Sequence, residues 1–278
     1  LTQNTIGKLW LDMHPNSPLK QQLNYYINTQ QQNQPIVTQV AEIKVLDPAC
    51  GSGHILVEAF DLLYQMYMLE YYTPDEAIES ILQNNLFGLD LDKRATQLAS
   101  FAILLKAAKY YPQILTKGIY PHIYPMPEPK NFNTHDITLF LQPNNLQYHD
   151  ILQQTLHLCQ NAHNIGSVLK LNANPKAHQC FKQQLQHLQN KPNKDIEEQA
   201  LLNNLQPYLN VILLLTQKYE AVVANPPYMG HGNMNNTLKN YINEHYPISK
   251  YDLMTVFMEV IPNLTVDAAY FAIINLPS

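Results

Sequence analysis

The sequence predicts an α/β protein with a mostly parallel, doubly wound sheet and a helical insertion. Short β-branched segments alternate with segments of helical periodicity, which is the pattern of parallel sheets with crossover helices. The first such strand runs directly into a glycine-rich turn. Over residues 139–218 the strand patterns disappear, and Gln, Asn and Leu recur at helical spacing. We therefore expect one α/β domain interrupted by a helical insertion.

Residues 1–35 are predicted to form a helical lead-in followed by a linker. The first part is amphipathic, but Pro15 and Pro18 interrupt any continuous helix. The stretch "NTQQQNQP", residues 28–35, is polar and of low complexity, as linkers often are.

Residues 36–138 are predicted to form the cofactor-binding half of the domain. Its strands are expected in "AEIKVLDPACGSG", "LFGLDLD" and "PHIYPM", although the last contains two prolines that disfavour a central strand. A helix over 73–85 is indicated by Thr73 as N-cap, with Glu76 completing a capping box. Helical spacing also follows each of the first two strands.

Residues 219–278 are predicted to form the catalytic half, cut short at its end. "YEAVVA" and "AAYFAIIN" read as strands, and "YDLMTVFMEVIPNL" reads as a helix capped by Asp252. The sequence stops directly after a strand, so we expect it to be a fragment of a longer protein.

Composition narrows the possible functions. Charged residues make up 14 % and the net charge is −5, without any basic block, which argues against a self-sufficient nucleic-acid binder. The three cysteines lack metal-site spacing, and the histidines are scattered, so we expect reduced thiols and no metal site. No apolar run reaches membrane-spanning length. A cytoplasmic protein with no membrane partner is the expectation.

The turn "DPACGSG", residues 47–53, predicts a nucleoside-type binding site. Gly51 and Gly53 allow a sharp turn and close approach of a ligand to the backbone. The helix that follows offers free N–H groups. The pattern is neither GxGxxG nor a GK[ST] phosphate loop, so a ligand with an amine and a carboxylate but no phosphates fits better. Asp47 is the candidate partner of the amine.

The end of the second strand carries Asp90, the candidate ligand for ribose hydroxyls. Leu91 would then lie against an adenine ring. The alternative is that Asp90 is a solvated turn residue. Asp92 is expected to be the N-cap of the next helix.

Together, "DPACGSG", "FGLDLD" and "NPPY" resemble the amino-group DNA methyltransferases that use S-adenosylmethionine, a Rossmann-like class I fold. Their order is similar to that of adenine methylases in restriction and phage-defence systems. "TIGKLWLDMHP", "NIGSVLKL" and the residues after "NPPY" resemble the large methylase of phage-exclusion (BREX) systems, the PglX type. The resemblance covers nearly the whole chain. It implies a cofactor site formed by Asp47, Pro48, Ala49, Cys50, Gly51, Gly53, Asp90, Leu91 and Glu128.

The resemblance also implies parts outside this sequence. The family's aromatic cofactor motif is expected before Leu1, and the later strands and target-recognition domain after Ser278. Double-stranded DNA is then expected to bind through that recognition domain. Other phage-defence subunits are further candidate partners. The isolated fragment is expected to depend on these parts for activity.

The catalytic residues implied are Asn225, Pro226, Pro227 and Tyr228. The amino group of adenine is a poor nucleophile because its lone pair is delocalised into the ring. The Asn225 side-chain oxygen and the Pro226 carbonyl can both accept from it, and the two prolines fix the carbonyl's direction. Tyr228 can stack on a flipped base. The alternative is a proline-rich turn with an exposed tyrosine.

Several assignments stay open at this point. The acidic residue after the third strand that contacts the cofactor adenine is either Glu128 or Asp136, and Glu128 is preferred because it is nearer the strand. The loop "MGHGNMNN" is expected to close over the base. Alternative functions are methylation of a protein glutamine amide, and a non-catalytic cofactor- or DNA-binding subunit of a defence complex.

Overall fold

The structure is a computed structural model that describes residues 1–28 and 33–275. Within them a single five-stranded sheet has the order β3-β2-β1-β4-β5, and all its pairings are parallel. The strands are β1 (Val45–Asp47), β2 (Leu86–Asp90), β3 (His122–Pro125), β4 (Tyr219–Ala224) and β5 (Thr265–Ile273). The strand order reverses at β1, which creates a switch point between β1 and β4. The predicted fold class is confirmed.

Helices cover both faces of the sheet. They are α1 (Ile6–Met13), α2 (His54–Leu69), α3 (Pro74–Ser80), α4 (Lys93–Tyr110), α5 (Thr134–Leu141), α6 (His149–Leu158), α7 (Ala162–Ile165), α8 (Pro175–Asn190), α9 (Ile196–Thr216), α10 (Asn236–His245) and α11 (Leu253–Val260). Side chains alternate between two cores, so Leu46 and Val222 face α5 to α11 while Val45 and Ala221 face α1 to α4. No helix in the described ranges is both long and apolar enough to cross a membrane.

The N-terminal lead-in packs against β5, the edge strand next to β4. Helix α1 ends before Pro15, and a short 3₁₀ turn, Pro18–Gln22, follows, so the predicted interruption is confirmed. The Tyr270 hydroxyl on β5 donates to the Asp12 carboxylate of α1 over 2.7 Å. Of the predicted linker at 28–35, residues 29–32 lie outside the described part of the chain.

The entrance to β2 is fixed by a buried amide. Thr73 and Glu76 form the predicted capping box of α3, but after Ser80 the backbone widens into a π turn, Ile81–Asn85. The Asn85 side chain donates to the carbonyls of Val40 and Ile43, at 2.9 and 2.8 Å. These bonds tie the start of β2 to the segment before β1.

The helices between β3 and β4 complete one layer of the fold. Helix α9 buries an apolar face against β3 and α8 and leads directly into β4. The first of these helices, α5, begins at Thr134, ahead of the predicted boundary at 139. The domain boundaries as such stay a prediction. Helical spacing within 150–171 is confirmed for α6 and α7, and the chain then turns at Gly166, which has a φ of 70°.

Strand β5 starts earlier than its pattern indicated. It begins at Thr265 rather than at Ala268. Ala268 has a φ of 61°, and the register with β4 shifts between Tyr219 and Ala221. This irregularity breaks the alternation of side chains that the prediction relied on.

Candidate active site at the carboxyl edge of the sheet

The glycine turn after β1 packs directly on α4. Gly51 and Gly53 have φ values of 53° and 85°, which favour glycine. A Cβ at Gly53 would lie 2.8 Å from the Ala99 Cβ, so that position also needs glycine for space. The Cys50 N–H donates to the Leu89 carbonyl over 2.9 Å. The turn is thereby fixed to both β2 and α4.

Asp90 joins the end of β2 to this turn. Its Oδ2 accepts from the Gly51 N–H at 2.8 Å, and its Oδ1 accepts from the Asp92 N–H at 2.9 Å. Asp92 in turn accepts from Arg94 N, so its predicted role as N-cap of α4 is confirmed. Leu91 is 45 % exposed beside Asp90 and is available for contact with a flat ring.

Two titratable groups lie beneath the turn. Asp47 is buried, and its Oδ1 accepts from the Ala49 N–H at 3.1 Å. Burial raises the pKa of Asp47 from 3.8 to about 7, and the negative charge of Asp90 adds to this effect. Burial likewise raises the pKa of the Cys50 thiol, as do the charges of Asp47 and Asp90. The Cys50 side chain is therefore a protonated, enclosed thiol.

The Asn-Pro-Pro-Tyr segment projects from the end of β4. Asn225 is exposed, whereas Pro226 is buried. The Tyr228 hydroxyl donates to Asn225 Oδ1 at 3.2 Å and to the Ile274 carbonyl at 3.1 Å. The Tyr228 side chain thus helps to orient the amide, and 41 % of the tyrosine is exposed.

A cleft of about 250 Å³ is lined both by the turn after β1 and by the Asn-Pro-Pro-Tyr segment after β4. Six of the predicted site residues line this cleft, namely Pro48, Ala49, Asp90, Leu91, Asn225 and Pro227. The glycine turn and the tip of β4 therefore share a cleft. Asp47 and Cys50 lie under the turn instead.

Sequence reasoning missed the remaining lining of the cleft, which comprises Ile165, Gly166, Ser167, Leu253 and Phe257. The first three come from the helical segment between β3 and β4, and the last two come from α11. A glycine inside a helical pattern was the available signal for a break at Gly166.

A larger groove of about 1400 Å³ adjoins the cleft and shares Leu91 with it. Glu128 lines this groove, with its Oε1 3.7 Å from His163 Nδ1. Asp136 instead accepts from the Asn133 N–H at 2.9 Å in the capping box of α5. This difference favours Glu128 over Asp136 as a ligand contact, and the assignment stays a prediction.

The loop after Tyr228 is anchored to the start of α11. The Leu253 N–H donates to the Met229 carbonyl at 3.0 Å, and the His231 N–H donates to the Tyr251 carbonyl at 2.9 Å. Asp252 accepts from Met254 N and caps α11, as predicted. Closure of this loop over a base stays a prediction. In residues 1–28 and 33–275, no group of three or more His, Cys, Asp or Glu side chains is placed to hold a metal ion.

The strand order, with a glycine turn at the switch point and an acidic residue ending the neighbouring strand, is that of a Rossmann-like methyltransferase. The chain belongs to the Eco57I restriction-modification methylase family, whose model matches residues 84–276. A second family model, N-6 DNA Methylase, matches residues 32–120.

Two bacterial proteins are similar over the whole chain. The "Adenine-specific methyltransferase BrxX" of Escherichia coli O9:H4 (strain HS) is 36 % identical over 309 residues, covering 100 % of this chain and 26 % of the relative. The "Adenine-specific methyltransferase PglX" of Lacticaseibacillus casei (strain Zhang) is 31 % identical over 299 residues, covering 99 % and 24 %. The chain thus spans about a quarter of the length of these relatives. The predicted resemblance to the PglX type is confirmed.

Among solved structures, the "ATP-dependent Type ISP restriction-modification enzyme LlaBIII bound to DNA" matches 96 % of this chain and 14 % of its own. The TM-score is 0.43 at 11 % identity.

Proposed function

We propose that this chain is the catalytic core of a DNA methyltransferase that acts on the exocyclic amino group of adenine. The methyl donor would be S-adenosylmethionine, and the setting a restriction-modification or phage-exclusion system. The observation that supports the proposal is the shared cleft, which Asn225 lines together with Asp90 and the Pro48–Ala49 part of the glycine turn. The names of the two relatives support adenine as the target.

The residues around the turn suit this cofactor. Nothing lies within 4 Å of the point where a Cβ of Gly51 would stand, so a ligand can approach the backbone there. Asp90 would hold the ribose hydroxyls, and the exposed Leu91 would cover one face of the adenine ring. Asp47 would balance the amine from beneath. S-adenosylmethionine supplies a methyl group on a positively charged sulfur.

The tip of β4 would activate the target nitrogen. Asn225 Oδ1 and the Pro226 carbonyl would accept from the two amino hydrogens, which draws the nitrogen toward tetrahedral geometry and frees its lone pair. The Tyr228 hydroxyl occupies one side of Asn225 Oδ1 and leaves the other side for the base. Direct displacement then depends mainly on the positions of the reacting groups.

A strong general base is unnecessary because the proton can leave to water after the new bond forms. Among the described residues that line the cleft, Asp90 is the ionisable one, and it is engaged with the backbone. The cleft therefore fits an amide-and-carbonyl mechanism better than acid–base catalysis.

DNA would bind mainly through parts outside this chain, since its net charge is −5 and the relatives are about four times as long. The target adenine must leave the duplex to reach the cleft. Other phage-defence subunits are further proposed partners. A DNA substrate and free cysteines favour the cytoplasm.

The test is Asn225→Ala in the complete natural protein. We expect adenine methylation, measured by mass spectrometry of nucleosides, to fall at least about 100-fold, as for loss of other polar transition-state contacts. Affinity for S-adenosylmethionine, measured by calorimetry, should stay unchanged. Asn263→Ala is the matched control, because the exposed Asn263 side chain donates to the Glu259 carbonyl of α11 and does not line the cleft. Full activity of Asn225→Ala, or methylation of a protein glutamine instead of DNA, would contradict the proposal.

A further inference from the structure

The segment Ile165–Lys170, here called the bridging segment, contributes its first three residues to the lining of the cleft. Gly166 has a left-handed φ of 70°, and residues 165–169 are buried. A Cβ at Gly166 would lie 3.5 Å from Leu91 Cδ2, in ordinary contact. The segment thus packs on the residue that the proposed cofactor adenine would touch.

One end of the bridging segment holds the glycine turn. The Ser167 hydroxyl donates to the Pro48 carbonyl, and Ser167 is 6 % exposed. Pro48 and Ala49 line the cleft directly. The position of the Pro48–Ala49 peptide therefore depends on a hydroxyl that is 119 residues away in sequence.

The other end holds the helix that follows the Asn-Pro-Pro-Tyr loop. The Tyr246 hydroxyl donates to the Val168 carbonyl at 2.7 Å in a buried contact. The Lys170 N–H donates to the Tyr241 hydroxyl at 2.7 Å. Tyr241 lies on α10 and Tyr246 directly follows it, so the glycine turn and α10 both bond to the bridging segment.

We infer that the bridging segment couples the cofactor site to α10, the helix that follows the loop after Tyr228, with Ser167 as a positioning residue. The inference rests on the proposed function. Cofactor binding would fix the Pro48–Ala49 peptide and, through Ser167, the bridging segment. Tyr241 and Tyr246 would then hold α10 in place. Because α10 is already ordered, the conformational entropy lost when the base binds would be smaller. Ser167 acts through the turn and does not itself react.

The test is hydrogen–deuterium exchange of the complete natural protein with and without saturating S-adenosylhomocysteine, the unreactive product. In the wild type, exchange should slow in the glycine turn and also in α10, there by roughly fivefold or more. In Ser167→Ala, the product should bind about tenfold more weakly, because a buried carbonyl loses its donor. At saturation the turn of this variant should still be protected while α10 is not.

Two further variants keep the test decisive. Tyr246→Phe removes the hydroxyl at the other end, so the turn should be protected normally and α10 should lose its response, even if Ser167→Ala does not fold. Thr155→Ala removes a hydroxyl that donates to a helix carbonyl in α6, outside the cleft, and should respond like the wild type. A wild type that does not bind the product would overturn the proposed function and this inference together. Protection of the turn without any response of α10, or an unchanged response in both variants, would overturn the inference alone.

Discussion

The carboxylate of Asp90 accepts a hydrogen bond from the backbone N–H of Gly51 over 2.8 Å. This contact crosses from the end of β2 to the left-handed glycine after β1. It fixes the turn before any ligand arrives, because the second oxygen of Asp90 is held by the Asp92 N–H.

Asp90→Ala should therefore weaken S-adenosylmethionine binding by roughly 10- to 100-fold, since hydrogen bonds to charged groups contribute about 1.5–3 kcal/mol. Isothermal calorimetry measures this directly. Asp195→Ala is the matched control, because Asp195 also accepts a backbone N–H, at the start of α9, but lines neither the cleft nor the groove. Equal affinity in the wild type and Asp90→Ala would remove Asp90 from the cofactor site.

Gly53→Ala should destabilise the fold more than Gly118→Ala. Both glycines have positive φ, at 85° and 68°, so both variants carry about 1 kcal/mol of backbone strain. Only at Gly53 would the new methyl overlap a neighbour, at 2.8 Å from the Ala99 Cβ; around Gly118 there is nothing within 4 Å. We expect a further loss of about 1–3 kcal/mol in the free energy of unfolding, measured by denaturant titration. Equal losses would mean that the turn moves away from α4 at little cost.

Two substitutions of Tyr228 distinguish the contribution of its ring from that of its hydroxyl. Tyr228→Ala should lower kcat/KM for DNA by roughly 10- to 100-fold, because stacking on a flipped base contributes about 1–3 kcal/mol. Tyr228→Phe keeps the ring and loses the hydroxyl contacts with Asn225 and with the Ile274 carbonyl, so we expect a loss below about tenfold. If both variants lost activity equally, the hydroxyl rather than the ring would be the important group.

Asp47 should make stability depend on pH. Its pKa is about 7 in the folded chain and 3.8 as the ordinary value, so the folded state binds the proton more tightly. The free energy of unfolding without cofactor should therefore fall as pH rises from about 4 to about 7, by on the order of 4 kcal/mol at most, and stay level above. Asp47→Asn cannot ionise and should lack this slope in denaturant titrations at several pH values. A slope that persists in Asp47→Asn would assign it to other groups.

Much of the fold could be predicted from interactions between residues that are close in sequence. The strand ends at Asp47 and Asp90, the cap at Asp92 and the capping box at Thr73 depend on neighbours within a few residues, and all four are present. Parallel strands bring their carboxyl ends to one edge, so the common cleft for Asn225 and the glycine turn followed from the strand order.

The contribution of the insertion to the cleft could not be predicted in the same way. The hydrogen bond from Ser167 to Pro48 forms only because α5 to α9 pack over the sheet. This packing depends on residues far apart in sequence, so no local pattern predicts it. The early start of β5 was missed for a related reason, since a bulge at Ala268 is set by pairing with β4.

The enclosed thiol of Cys50 has a consequence for the chemical durability of the turn. Only the thiolate form of cysteine reacts readily with alkylating agents and oxidants, and here that form is disfavoured by burial and by two neighbouring carboxylates. The cofactor proposed above is itself an alkyl donor, and a thiol held in this form would resist alkylation by it. It should also be a poor target for covalent inhibitors designed to attack sulfur.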